Sequence, residues 1–255
     1  MTTSIPRPAV PPRPDGVAAE HVVGAFARPW PTATWSLPDT IAVSFMPFGI
    51  VLFLSIVVGT FFGWTGPGGG LLLTFLQQLA MLVPVVWWVK ATDHGGWETL
   101  GLGRGRWDRA DVFSGLGLGL LAMVSGSVVL YITYEIARAV LGRDPQVFGN
   151  GPNLEGAWLY GFAILAICFA PICEEVLFRG FLFNGLRRSL SFRWAVVISA
   201  FAFALLHAEP IRLPSLFVVG IILASGVERR RILVVSVIAH ATVNVAAILA
   251  EFAAR

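Results

Sequence analysis

Charge is what this chain has least of. Asp, Glu, Lys and Arg make up 13% of its 255 residues, while 56% are hydrophobic. A soluble domain of this length carries about 25% charged residues. The deficit is too deep for an ordinary buried core and points to a polytopic membrane protein. Lysine is nearly missing: seventeen of the eighteen basic residues are Arg and Lys90 stands alone, a bias that suggests a GC-rich bacterial genome. With a net charge of +3 no basic face for nucleic acid is expected. Cysteine is equally sparse. Cys168 and Cys173 lie five residues apart in one apolar run, about 140° apart around a helix, which rules against a bridge between them. They read as small packing residues.

Proline is plentiful at one end. Ile5-Pro-Arg-Pro-Ala-Val-Pro-Pro-Arg-Pro14 has no apolar core of the signal-peptide kind and favours an extended, solvated tail. Residues 1–38 are therefore expected to be a disordered tail, with a transmembrane helical domain over 39–255. Apolar stretches predict seven helical spans, roughly 41–62, 70–90, 112–134, 157–186, 193–208, 213–227 and 232–250. The expected fold is all-α, a polytopic transmembrane helical bundle. Its fifth and sixth spans are short for about 30 Å of hydrocarbon, which predicts a short or partly re-entrant pair. Basic residues alternate between connections, thirteen on one side against four on the other, with Arg179 inside a span. The positive-inside rule then predicts a cytoplasmic N-terminus and an outside C-terminus.

Against that apolar background the charges inside the fourth span stand out. Glu174, Glu175 and Arg179 fall within six residues of one another, and a charge at bilayer depth costs at least about 2.5–3.5 kcal/mol on insertion scales. His207 and His240 each lie in a later apolar stretch, and Asn244 shares a helical face with His240. Counted from the flanking arginines at 1.5 Å per residue, Glu174, His207, His240 and Asn244 reach similar depth, which predicts one site. Consecutive glutamates project about 100° apart. Glu175 and Arg179, four apart, can pair, which leaves Glu174 as the carboxylate available for general-base work. His240 and Asn244 can donate hydrogen bonds to a developing oxyanion. No Ser or Cys stands out as a nucleophile, so activated water is the simpler proposal.

Other features read as structure. Gly115-Leu-Gly-Leu-Gly119 places small residues at i and i+4, a close-packing face. Gln77 and Gln78 predict interhelical hydrogen bonds, with the lining of a substrate path as the second reading. Gly101-Leu-Gly-Arg-Gly-Arg106 lacks the Lys-Ser/Thr ending of a phosphate loop. His21 and His94 have no polar partners suggested by the sequence and are assigned nothing.

At the level of motifs the chain resembles the CPBP family (CAAX protease and bacteriocin-processing enzymes), the type II CAAX prenyl endopeptidase-like proteins. Ala170-Pro-Ile-Cys-Glu-Glu-Val-Leu-Phe-Arg-Gly180 matches the E-E-x-x-x-R motif, Phe203-Ala-Leu-Leu-His207 the F-x-x-x-H motif, and His240-Ala-Thr-Val-Asn244 the H-x-x-x-N motif. The resemblance covers about residues 157–250, the expected catalytic core. It implies an intramembrane endopeptidase in which Glu174 and His207 activate water, His240 and Asn244 hold the oxyanion, and Glu175 and Arg179 support the site. Phe203 would pack. By the same resemblance no cofactor is favoured. The alternative is zinc held by Glu174, His207 and His240, a set with the ligand count of an open catalytic zinc, although H-E-x-x-H is missing. A peptide or membrane-protein substrate, the lipid bilayer as surroundings, no nucleic acid, and a bacterial inner membrane complete the expectation. A proton-coupled transporter and a non-catalytic scaffold or bacteriocin-immunity protein are the rival classes.

Overall fold

The computed structural model describes residues 33–62, 67–92, 94–103, 107–145 and 156–253. Most of the Pro-rich tail, His21 and part of the Gly101–Arg106 loop lie outside them. Seven helices form the described chain: α1 Leu37–Phe62, α2 Pro67–Ala91, α3 Arg109–Leu141, α4 Ala157–Ser189, α5 Phe192–Leu206, α6 Leu213–Arg230 and α7 Val234–Ala253. No strand occurs among the described residues. Five helices, α1 to α4 and α7, are long and apolar enough to cross a membrane. The remaining two match the short pair read from the sequence. Helix α5 has 15 residues, about 22 Å of rise, and α6 ends in Glu228-Arg229-Arg230. The protein is a multi-pass membrane protein.

Local sequence sets the helix ends. Ser36 and Asp39 cap α1 reciprocally, the Asp39 amide donating to Ser36 Oγ and the Ser36 amide to Asp39 Oδ2. Asp108 and Asp111 form the equivalent box at α3, and each box satisfies backbone donors that the first helical turn leaves open. Gly142 ends α3 in the left-handed region, φ 65°, a conformation glycine adopts without steric cost.

The packed region begins ahead of the boundary at residue 38. Trp35 is fully buried and stacks on Phe181 of α4, ring centroids 4.7 Å apart. Arg188 donates to the carbonyls of Thr34 and Trp35. His94, unassigned on sequence, lies face to face with the Trp88 ring at 4.8 Å and meets Thr34 Oγ1 at 2.7 Å. These contacts tie Thr34 and Trp35 to the ends of α2 and α4.

Helix α4 runs through the middle, touching α1, α2, α5, α6 and α7. Half of its most apolar window is buried, against 22% for each of the other four spans. Helix α3 closes the far side on α6 and α7. The glycine face of α3 acts as expected: a Cβ on Gly119 would sit 2.8 Å from Ala239 O, one on Gly115 3.0 Å from Val235 O, whereas Gly117 faces open space. Outward-facing side chains such as Leu52, Phe53, Phe113 and Tyr131 present the apolar surface that lipid requires.

Candidate active site

Helix α4 is not a regular α-helix where its charges lie. It is π-helical over Leu165–Phe169 and again over Val176–Phe183, with the α-helical stretch Ala170–Glu175 between them. Pro171 accounts for the first irregularity, because it has no N–H and its ring clashes with the carbonyl four residues back. π-Helical turns inside α-helices occur frequently at functional sites. The glutamate pair sits at the end of the α-helical stretch, with Cys173 buried beside it and Cys168 exposed.

The two glutamates have different surroundings. Glu175 is fully buried and accepts from Arg179 Nη1 at 2.8 Å, while Arg179 Nη2 donates to Gly220 O of α6 at 3.2 Å. His240 Nδ1 lies 3.0 Å from the same Glu175 oxygen. A carboxylate paired with guanidinium only accepts, so Nδ1 carries the proton and Nε2 is left for other work. Glu174 is buried too, but it has no cation in direct contact. Its Oε1 accepts from Gln78 Nε2 of α2 at 3.3 Å, and its Oε2 has no hydrogen-bond partner. That oxygen faces His240 Nε2 across 3.9 Å, too far for a hydrogen bond and close enough for one water to touch both.

Phe203 joins the two histidines. Its ring packs edge-on against His207 at 4.9 Å and His240 at 5.5 Å, with the Arg179 guanidinium 4.5 Å from its centroid. His207 sits at the C-terminal end of α5, its Nδ1 2.9 Å from Phe203 O. A carbonyl can only accept, so this bond fixes the tautomer with Nε2 free. Asn244 Nδ2 donates to Ala166 O in the first π-helical stretch of α4, 2.7 Å away.

Residues 156–246 match the family model described as type II CAAX prenyl endopeptidase Rce1-like. Over that segment, about a third of its length, the chain is similar to the CAAX proteases. No curated protein and no solved structure matches the chain. The matched family is one of endopeptidases. All three motifs fall inside the matched segment.

Set beside the sequence reading, the cluster gains one residue. Glu174, Glu175, Arg179 and His240 come together as one cluster, and His207 joins it through Phe203. Gln78, predicted to make an interhelical hydrogen bond, makes it to Glu174 itself and lies outside the matched segment. Polarity within an apolar helix was the signal; nothing in the sequence says which residue faces it. Among the described residues no group of three His, Cys, Asp or Glu is placed to hold a metal ion. One ring nitrogen of each histidine is engaged, by Glu175 and by Phe203 O, and Nε2 of each is left open.

Proposed function

We propose that the protein is an intramembrane endopeptidase that hydrolyses peptide bonds with water activated by Glu174. Hydrolysis requires a base with a free lone pair beside donors for the oxyanion. Glu174 Oε2 and His240 Nε2, facing each other at 3.9 Å, supply a place where one water touches a carboxylate and an imidazole. The observation that carries the reading is the division between the glutamates: one Glu175 oxygen is spent on both Arg179 and His240, whereas Glu174 has no cation in contact and turns an unpartnered oxygen to His240 Nε2.

In the proposed reaction water attacks the carbonyl carbon and its proton passes to Glu174, with His207 Nε2 as the second contact for that water. Asn244 donates to the oxyanion through Nδ2, and His240 does so through Nε2 when that nitrogen carries a proton as well as Nδ1. The C–N bond then breaks as the proton moves from Glu174 to the leaving amine. Glu175 and Arg179 hold His240 in place and do not meet the substrate. No metal is needed in this scheme. The N-terminus is proposed to be cytoplasmic in a bacterial inner membrane, since the arginine-rich connections share that side. By the family's name a prenylated CAAX protein is one candidate substrate; a bacterial membrane peptide is the other.

The test is cleavage of a fluorogenic peptide panel, prenylated and plain, by detergent-purified protein. Wild type is compared with Glu174→Gln, each with and without a strong chelator. Turnover that survives chelator and is lost in Glu174→Gln is the expected outcome. Turnover lost with chelator restores zinc, and full activity in Glu174→Gln removes Glu174 as the base. If no peptide is cleaved, the scaffold and transporter readings gain at the expense of this one.

A further inference from the structure

One carbonyl of α4 has been deprived of every backbone donor. In an α-helix Ala166 O would accept from the N–H of residue 170, but the Ala170 N–H donates to Leu165 O, in the five-residue register of a π-helix. In that register Ala166 O would accept from residue 171, which is Pro171 and has no N–H. Within the membrane no bulk water can take the donor's place. The bond that satisfies Ala166 O comes from another helix: Asn244 Nδ2, at 2.7 Å. Since the acceptor is a carbonyl, the Asn244 amide has one permitted orientation, with nitrogen towards α4.

We propose that Pro171 is a positioning residue for Asn244. By withholding the donor that Ala166 O would otherwise take, it commits one N–H of Asn244 to α4 and holds the second in a fixed direction. This second N–H is the donor that the proposed mechanism uses for the oxyanion, so the inference rests on that reading. A preorganised donor contributes to catalysis because nothing has to reorient as charge develops. Pro171 therefore links the glutamate helix to the oxyanion helix without touching the substrate.

The proposal predicts a rescue. Asn244→Leu strands Ala166 O in an apolar interior and should lower the Tm of the detergent-purified full chain by roughly 3–8 °C. Pro171→Ala returns an N–H at residue 171. Ala166 O then regains a backbone donor, from residue 171 in the π register or from residue 170 if the turn relaxes to α. In the double variant most of the Tm lost in Asn244→Leu should return. Pro171→Ala alone should keep or raise Tm and lower kcat about tenfold with KM little changed, on whichever panel peptide is cleaved. The double variant should regain stability and remain as inactive as Asn244→Leu.

Simple addition of the two Tm changes overturns the proposal, because the two residues would then not share an acceptor. Wild-type kcat in Pro171→Ala overturns it as well, whatever the Tm. Failure of the underlying reading looks different. Full kcat in Asn244→Leu, with the Tm rescue intact, removes Asn244 from the reaction and leaves the structural link standing. The Tm cycle needs no substrate, so it decides the link even before a cleaved peptide is found.

Discussion

The chain keeps its ion pairs in two kinds of place. Around α4 and α7, Glu175, Arg179 and His240 form a group with the Glu175–Arg179 pair at 0% exposure on both sides. At the helix ends, Arg187–Glu228, Arg230–Asp111 and Arg138–Asp144 pair with at least one partner partly or largely exposed. The chemistry is the same and the cost differs. A charge near the helix ends keeps part of its hydration, whereas one in the interior is stranded if its partner goes. An interior charge therefore has to be held by several bonds at once, and Glu175 Oε1 is held by two. Glu174, held by one hydrogen bond from Gln78, departs from that pattern, as the proposed base requires.

Removing a member of the interior pair gives the largest expected effect. Arg179→Ala or Glu175→Ala leaves its partner's charge buried and unpaired, a loss of about 3–5 kcal/mol. Folded yield in detergent should fall steeply in both. The double replacement Glu175→Leu/Arg179→Met removes both charges and should recover much of the yield, although not the activity, because His240 loses its anchor. Equal yields for the single and double variants would show that the pair carries no such penalty.

Glu174→Gln comes next. It leaves every interior ion pair intact, so yield and Tm should stay close to wild type. Loss of a general base lowers rate by roughly 10² to 10⁴-fold, and kcat should fall by that order in a peptide-cleavage assay. Stability would separate the adjacent glutamates cleanly: Glu175 is needed to fold, Glu174 to react. A Glu174→Gln protein that aggregates as badly as Glu175→Ala would erase the distinction.

Much of this division could be read before any coordinates. Spacing four apart predicts the Glu175–Arg179 pair, and the short fifth and sixth helices follow from counting apolar residues. The i and i+4 glycines of α3 predict close packing, and Gly115 and Gly119 pack while Gly117 does not. What the sequence could not supply were contacts between helices remote in the chain. Gln78 and Glu174 are 96 residues apart, and helical periodicity says only that Gln78 is unusual in its span. Trp35 was placed in the tail because its neighbours are Pro-rich, and its burial depends on Phe181 and Arg188, about 150 residues away. The π-helical turns of α4 were equally hidden. Pro171 signals an irregularity, but a kink and a π-turn share that signal.

Gln78→Leu is expected to have a smaller effect than Glu174→Gln. The replacement keeps the volume roughly constant and removes the donor to Glu174 Oε1. Net contributions of hydrogen bonds to charged groups run to about 1.5–3 kcal/mol, and the orphaned Gln78 Oε1 disappears with the amide. Stability should therefore change little. Glu174 would lose its fixed rotamer, and kcat should fall roughly tenfold, measured beside Glu174→Gln on the same peptide. A KM change with kcat unaltered would place Gln78 on the substrate path, the second reading its sequence position allowed.

The smallest effect belongs to the pair most open to its surroundings. Arg138 lies near the end of α3, opposite Arg109, with Glu135 at 3.8 Å and Asp144 at 3.2 Å, and more than half of its side chain is exposed. Helix α3 has 33 residues, about 50 Å of rise, so it outlasts the hydrocarbon and its end can meet water. Exposed pairs of this kind contribute about 0–1 kcal/mol and are screened by salt. Arg138→Ala should leave activity unchanged and lower Tm by no more than about 2 °C, with the difference vanishing at high salt. A large loss there would mean that position along the chain does not grade the charges as proposed, and that the interior group around Glu175 owes its cost to something other than burial.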